Sequence, residues 1–301
     1  MSHLKLVLIV ATAVVAALAL ATWWPWLFPK AIQPSEDLFK VEKVDVNTLR
    51  QQVRKKWTRD NYSRYVEIEF SIDAEPVRNF TLRPGYYVYE TAVKPLSDGA
   101  MYSRYEFNVT ETEWGYEIVD VTYTNIVQGS RVIKGLPLVT HWRVVNNTLY
   151  LLYIYTGDSM YVEEVPIRPG SCTQFDSMVP AAPSIWPYVK EGATIRVVNK
   201  WNVTDLRINI TSFTDVMATF KVDKKLVDCN GPSGKCYVVE MEQRIKSRTK
   251  SESRNEEHAS TKIYRHVYLI DLSGVVVQAR SYDLAASPHK LISEINLVEW
   301  K

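Results

Sequence analysis

"YVEIEFSID", Tyr65 to Asp73, alternates with a period of two: Val66, Ile68, Phe70 and Ile72 fall on one side, Glu67, Glu69 and Ser71 on the other. A helix needs apolar residues three and four apart, so this stretch reads as a half-buried strand. The same pattern recurs downstream in "YSRYEFNVT", "YEIVDVTYT", "LVTHWRVV", "TLYLLYIYT" and "MYVEEVPI", with Gly115, Gly129 and Gly157-Asp158 among the turn residues between them. That spacing describes an antiparallel meander.

"RPGSCTQFDSMVPAAPSIWP", Arg168 to Pro187, carries four prolines and little periodicity, which marks a boundary or crossover. A second β section follows in "TIRVVNKW", "LRINITSF", "MATFKVDKKLV", "CYVVEMEQRI", "KIYRHVYLI", "GVVVQARSY" and "LISEINLVEW". Within it "KSRTKSESRNEEHASTK", Lys246 to Lys262, holds no apolar residue larger than alanine and reads as the exposed end of a long hairpin or as a disordered loop. Upstream, "NTLRQQVRKKW" spaces Leu49, Val53 and Trp57 four apart behind Asn47 as N-cap, which predicts one short amphipathic helix.

From Leu6 to Phe28 no residue is charged, and 23 residues of helix span roughly 35 Å, enough for a hydrocarbon core of about 30 Å. Trp23, Trp24 and Trp26 fit the aromatic rim of such a helix at the membrane interface, and Pro25 and Pro29 would break it on exit. Ala19-Leu20-Ala21 also fits a signal-peptidase site, although the apolar run is already at or beyond the length of a signal core there. Both readings export the chain, and the uncleaved anchor leads. Lys5 before the span and Lys30 after it leave the orientation undecided by charge.

The side is argued from asparagines instead. Six of thirteen open Asn-x-Ser/Thr sequons, namely Asn61, Asn79, Asn108, Asn146, Asn202 and Asn209, and such sites accept glycans only on exported chains. The predicted architecture is mainly β: an N-terminal transmembrane helix (1–29), a juxtamembrane linker with a short helix (30–60), a first β section (61–170), the Pro-rich crossover (171–187) and a second β section (188–301). The ectodomain would be an antiparallel meander forming a sandwich or a curved half-barrel.

Cys229 and Cys236 flank the turn-rich "NGPSGK" and predict a local disulfide in an oxidising compartment; Cys172 stands apart, as a buried thiol or a link to another chain. Residues 186–282 resemble exported lipoprotein-carrier-like domains in "WPYVKEG", "CYVVE" and "YLIDLSGVVVQ", with turn glycines Gly192, Gly234 and Gly274. The resemblance implies a curved antiparallel sheet covering an apolar ligand or a helix. No lipobox cysteine stands at the membrane exit, so attachment would be by the helix.

Signals for chemistry are sparse. His3, His141, His258, His266 and His289 show no metal-ligand spacing, and neither cysteine forms a C-x-x-C pair, so no metal site and no cofactor are expected. His141 and His266 sit inside strands, where a cross-strand partner is the ordinary explanation. Ser247 and Lys250 match an S-x-x-K spacing but lie in the polar hairpin end. Glu67, Glu69, Asp120, Glu163 and Glu164 could pair for glycoside hydrolysis only through the fold. The rings of "GYYVYE" and "LYLLYIY" suit a sugar or peptide platform, or cross-strand packing. With a net charge of +2 nothing favours nucleic acid. The reading is a single-pass, extracytoplasmic β-rich glycoprotein that binds or scaffolds at the cell envelope without catalysis, with the membrane and an envelope protein or a lipid ligand as partners. An apolar-ligand carrier and a surface hydrolase are the alternatives.

Overall fold

The computed structural model describes residues 43–91, 94–96, 99–128, 131–170, 184–251, 256–285 and 290–301. The apolar N-terminal segment with Trp23, Trp24 and Trp26 lies outside them, as do His3, Gly129, Cys172 and His289. Among the described residues no helix is long and apolar enough to cross a membrane. The chain is mainly β. Before the crossover run β1 (Lys55–Thr58), β2 (Ser63–Ile72), β3 (Gly85–Thr91), β4 (Lys94–Leu96), β5 (Gly99–Thr112), β6 (Gly115–Gln128), β7 (Arg131–Lys134), β8 (Leu138–Val145), β9 (Thr148–Thr156) and β10 (Ser159–Ile167). After it come β11 (Thr194–Asp205), β12 (Ile210–Val222), β13 (Val227–Asp228), β14 (Lys235–Ser251), β15 (Glu256–Asp271), β16 (Val276–Asp283) and β17 (Lys290–Trp300). Two short helices, α1 (Val46–Gln52) and α2 (Arg59–Tyr62), flank β1.

All these strands belong to one 17-stranded sheet rather than to two facing sheets. Along the ladder β2 pairs β11, then follow β12, β14, β15, β16 and β17. From β17 it continues through β3, β5, β6, β8, β9 and β10 to β1, antiparallel throughout except for the parallel β1–β10 step. Strands on either side of the Pro-rich stretch therefore interleave: β2 extends the later strands, and β17 joins β16 to β3.

The two terminal strands of this ladder, β1 and β2, are consecutive in sequence and separated only by the single turn of α2. That short link brings the ladder's ends together, so the sheet must curl. Side chains bridge the seam: the Tyr62 hydroxyl donates to Glu163, Tyr62 meets Tyr161 edge-on at 5.6 Å, and Arg168 grips Glu67 bidentately at 3.0 and 3.1 Å. Arg168 also stacks on Phe70, 4.5 Å from the ring centre.

The seam explains the largest departure from the sequence pattern. In β2 the register shifts where Lys200 faces Glu69 and Trp201 faces Glu67, leaving Ile68 as an extra residue. Beyond this bulge the alternation reverses. Phe70 and Ile72 pack against the core as expected, but Val66 and Ile68 are 44% and 57% exposed, and Glu67 instead points toward Arg168.

Two apolar clusters fill the concave side. Tyr87, Tyr89, Phe107, Ile118, Trp142 and Leu149 anchor one; Trp186, Ile195, Phe220, Met241, Tyr268 and Ile270 anchor the other. A smaller cluster on the opposite face of β6, β8 and β9, with Val121, Tyr123, Val139 and Tyr155, is covered by Val44, Val46, Leu49 and Val53 around α1. This explains the near-continuous apolar run of "YEIVDVTYT": Ile118 and Val121 are both buried, on opposite faces of β6.

The expected helix forms, but with different limits. Asp45, not Asn47, is the N-cap: its carboxylate accepts from the Asn47 N–H at 3.1 Å and the Thr48 hydroxyl at 2.7 Å. Seven residues are too few for a helix to hold alone, so packing on the sheet stabilises it. It ends at Gln52 because Arg54 and Lys55 donate their N–H groups to Asp158 O, which recruits Trp57 into β1. "LRINITSF" and "MATFKVDKKLV" also merge in part: Leu206–Asn209 form the turn, and one strand, β12, runs from Ile210 to Val222 across the junction of the two stretches. The polar run from Lys246 does close a long hairpin, pairing as far as Ser251 with Glu256.

The seam clamp is testable. Arg168 and Glu67 are about three-quarters buried, so Arg168→Ala, which leaves an inward carboxylate without its cation, should cost about 1 to 2 kcal/mol in urea unfolding. A double-mutant cycle with Glu67→Gln should return a coupling of about 1 kcal/mol, whereas additive effects would show that the pair does not hold the seam.

Candidate functional site

Chemistry-bearing side chains in this fold are dispersed, and most are engaged structurally. Cys229 and Cys236 are joined, with an S–S distance of 2.09 Å and Cα atoms 5.9 Å apart, across the β13–β14 turn. Asp271, fully buried beside them, accepts from the N–H and hydroxyl of Ser233 at 2.9 and 2.7 Å and from those of Ser273 at 2.8 and 2.6 Å. Ligand atoms of these three residues lie within 4.8 Å of one another, but two are spent in a covalent bond and the third is saturated with hydrogen bonds. The arrangement ties a hairpin to the end of β15. Gly234, with φ of +74°, and Gly274, with φ of +85°, occupy turns that a Cβ would strain.

Asp120, His266 and His141 are also buried. Burial pushes Asp120 well above the usual carboxylate range, against a weaker opposing hydrogen bond from Thr122. Burial lowers His266 to about 4; its Nδ1 meets the hydroxyl of its cross-strand neighbour Ser281 at 2.7 Å. His141 is lowered to about 4, chiefly by burial and further by Arg50 of α1, and stacks 4.3 Å from its cross-strand neighbour Tyr153. These partners are the ordinary strand explanation expected for both histidines.

The remaining sequence candidates do not converge. Glu67 pairs with Arg168, Glu69 with Lys200 at 2.7 Å, and Glu163 with Tyr62. Ser247 and Lys250 lie three residues apart on β14, so the strand period sends them to opposite faces and the S-x-x-K arrangement cannot form. In "GYYVYE", Tyr87 and Tyr89 are core residues, and in "LYLLYIY" Tyr155 is buried in the cluster that Val44–Val53 cover, so packing accounts for these rings. Among the sequon asparagines, Asn61, Asn79, Asn108, Asn146 and Asn209 are exposed and Asn202 is half-buried.

One concavity emerges that the sequence reading did not single out. Where β5, β6, β8 and β9 end, two two-residue turns, Glu113-Trp114 and Asn146-Asn147, meet the segment at Asn79-Phe80. They enclose a cleft of about 400 Å³ lined by Asn79, Phe80, Trp114, Gly115, Tyr116, Val144, Asn146 and Asn147. Asn146 and Asn147 take left-handed φ of 47° and 61°, the backbone of a tight hairpin turn for which asparagine is well suited. Asn147 Oδ1 accepts from the Phe80 N–H at 2.6 Å, fixing one wall to the other. A Cβ on Gly115 would stand 2.1 Å from Val144 O, so only glycine permits this floor. The signal was present in "TETEWGYE": a tryptophan in a two-residue turn cannot bury its ring in a strand face, and Trp114 is 36% exposed.

No family model matches the chain, and no curated protein matches it. Among solved structures a "putative lipoprotein" from Parabacteroides distasonis ATCC 8503 aligns with 76% of this chain and 100% of its own, at a TM-score of 0.33 and 16% identity. At that TM-score the likeness carries no argument about this chain.

The buried groups predict an unusual pH response. Above about pH 4 the unfolded chain releases the Asp120 proton that the folded chain keeps, so this residue costs stability as pH rises. The two histidines act oppositely: below about pH 6.5 the unfolded chain protonates them while the folded chain resists, so stability is lost as pH falls from 6.5 toward 4. Asp120→Asn should therefore stabilise the chain at pH 7 by more than about 1 kcal/mol, lose that gain near pH 3.5, and steepen the decline between. Denaturant titrations across this range check it.

Proposed function

We propose that this chain is a membrane-anchored, extracytoplasmic β-rich protein that binds or scaffolds at the cell envelope without catalysing a reaction. One observation carries the reading: an uncharged run of 23 residues precedes a β domain that contains the Cys229–Cys236 disulfide. The run is long enough to remain in a bilayer, and a disulfide persists in oxidising surroundings outside the cytoplasm. Residues 1–29 then serve as the single-pass anchor, with Trp23, Trp24 and Trp26 at the interface, and the bulk of the chain lies outside.

Five exposed sequon asparagines support glycosylation of that domain, Asn202 being less accessible. Dispersal of the described acidic and histidine side chains into ion pairs and cross-strand contacts favours binding over hydrolysis. The cleft at Trp114, lined by three asparagines, favours a polar binding surface over carriage of an apolar ligand.

In membranes from the native host the protein should resist alkaline extraction and begin at Met1 or Ser2. A mature N-terminus at Thr22 would replace the anchor with a cleaved signal. Peptide mapping should find glycans on several of Asn61, Asn79, Asn108, Asn146 and Asn209 where the host attaches them. Replacing both Cys229 and Cys236 by serine should lower stability by about 2 to 3 kcal/mol, the effect of opening so short a loop, as read by denaturant unfolding.

A further inference from the structure

We propose that the cleft between the β5–β6 turn, the β8–β9 turn and Asn79-Phe80 binds a neutral pyranose ring. Its lining contains no carboxylate, ammonium or guanidinium group. A concavity of about 350 Å³ on the outer face of β12, β14 and β15 differs sharply, with Lys221, Glu240, Glu242, Arg244 and Arg265 in its walls. Phosphates, metal ions and charged peptides would find no counter-charge in this lining, and the nearby Arg143 is already paired with Glu117 at 3.3 Å, whereas an uncharged ligand gives up little in entering.

The chemistry present matches a sugar on two sides. A pyranose presents a face of C–H groups and a rim of hydroxyls, each able to donate and accept. Trp114 supplies an exposed indole: Arg143 stacks on it at 4.4 Å but does not line the cleft, so the ring meets the cleft with surface that the guanidinium leaves uncovered. Asn79, Asn146 and Asn147 supply side-chain amides, which also both donate and accept. Asn147 is already oriented by its bond to the Phe80 N–H, leaving its amide NH₂ for a ligand. The volume of about 400 Å³ lies within the usual range for small-molecule sites. Two-residue turns hold Trp114, Asn146 and Asn147, and the bond from the Phe80 N–H to Asn147 ties the Asn79-Phe80 segment to them, so these groups are positioned before binding.

Two sources could deliver the ring. Asn79 and Asn146 both open sequons and both line the cleft, so the first sugar of an N-glycan on this chain could lie against Trp114. A separate envelope glycan presents the same chemistry. This inference gives the binding role proposed above a ligand class but does not rest on the anchor: alkaline extraction tests the anchor, saccharide titration tests the cleft, and each can fail alone.

The full chain, made in a host without N-glycosylation and held in a sugar-free detergent, should be titrated with cellobiose, mannobiose and chitobiose and followed by saturation-transfer NMR and calorimetry. At least one should bind with a Kd on the order of millimolar. Trp114→Ala should weaken it at least tenfold, Trp114→Phe should retain part of the affinity, and Asn79→Gln should weaken it with the melting temperature unchanged. Chain from the native host distinguishes the sources. If a glycan on Asn79 or Asn146 blocks the added sugar and the corresponding sequon-breaking variant, Thr81→Ala or Thr148→Ala, restores access with the cleft asparagine intact, the ligand is the chain's own; if the native chain binds freely, it is external. Failure of all three sugars to bind at about 50 mM, or binding undiminished in folded Trp114→Ala, would overturn the proposal.

Discussion

The structure depends on a constraint of connectivity: β1 and β2 terminate a long hydrogen-bonded ladder, yet only α2 separates them in sequence. An antiparallel ladder with its ends tied so closely cannot stay flat. Curling gives the sheet a concave side, and the two large apolar clusters form there. The seam itself lacks a backbone ladder, and side chains supply what pairing does not. Arg168, Glu67, Tyr62 and Glu163 bridge it, and the bulge at Ile68 turns Glu67 toward its partner at the expense of leaving Val66 and Ile68 in water.

Enclosure on two faces then fixes the electrostatics. β6 is buried against the first cluster on one side and beneath α1 on the other, so Asp120 and its neighbour-strand residue His141 lose solvent from opposite faces. Desolvation dominates both shifts: it keeps the acid protonated and the imidazole neutral. Both residues thereby contribute to the pH sensitivity of the fold. The disulfide and Asp271 play a comparable local part at the far end of β14 and β15.

The outer surface of the described residues carries two kinds of chemistry. Strand faces outside are laced with cross-strand ion pairs such as Arg265–Glu240 at 2.7 Å and Arg280–Glu294 at 3.2 Å, which suit solvent. The turns around Trp114 differ, combining an exposed ring with uncharged amides in a fixed concavity.

The short β1, β4, β7 and β13 were not legible in the sequence. By itself it determined the mainly β class, most of the longer strands and the Cys229–Cys236 pair, because period, turn residues and short loop closure act over a few neighbours. β8 and β9 coincide with "LVTHWRVV" and "TLYLLYIYT" for this reason. Tertiary structure alone decided the end of α1, where Asp158 O captured the next two N–H groups, and the merging of two apolar runs into β12. It also decided which side of β2 faces inward, since one extra residue reverses every side chain beyond it and the ladder with β11 places that residue at Ile68. The Trp114 cleft belongs to the same category: its walls come from three segments far apart in the chain, and a local pattern carries no information about which turns will share one end of a curled sheet.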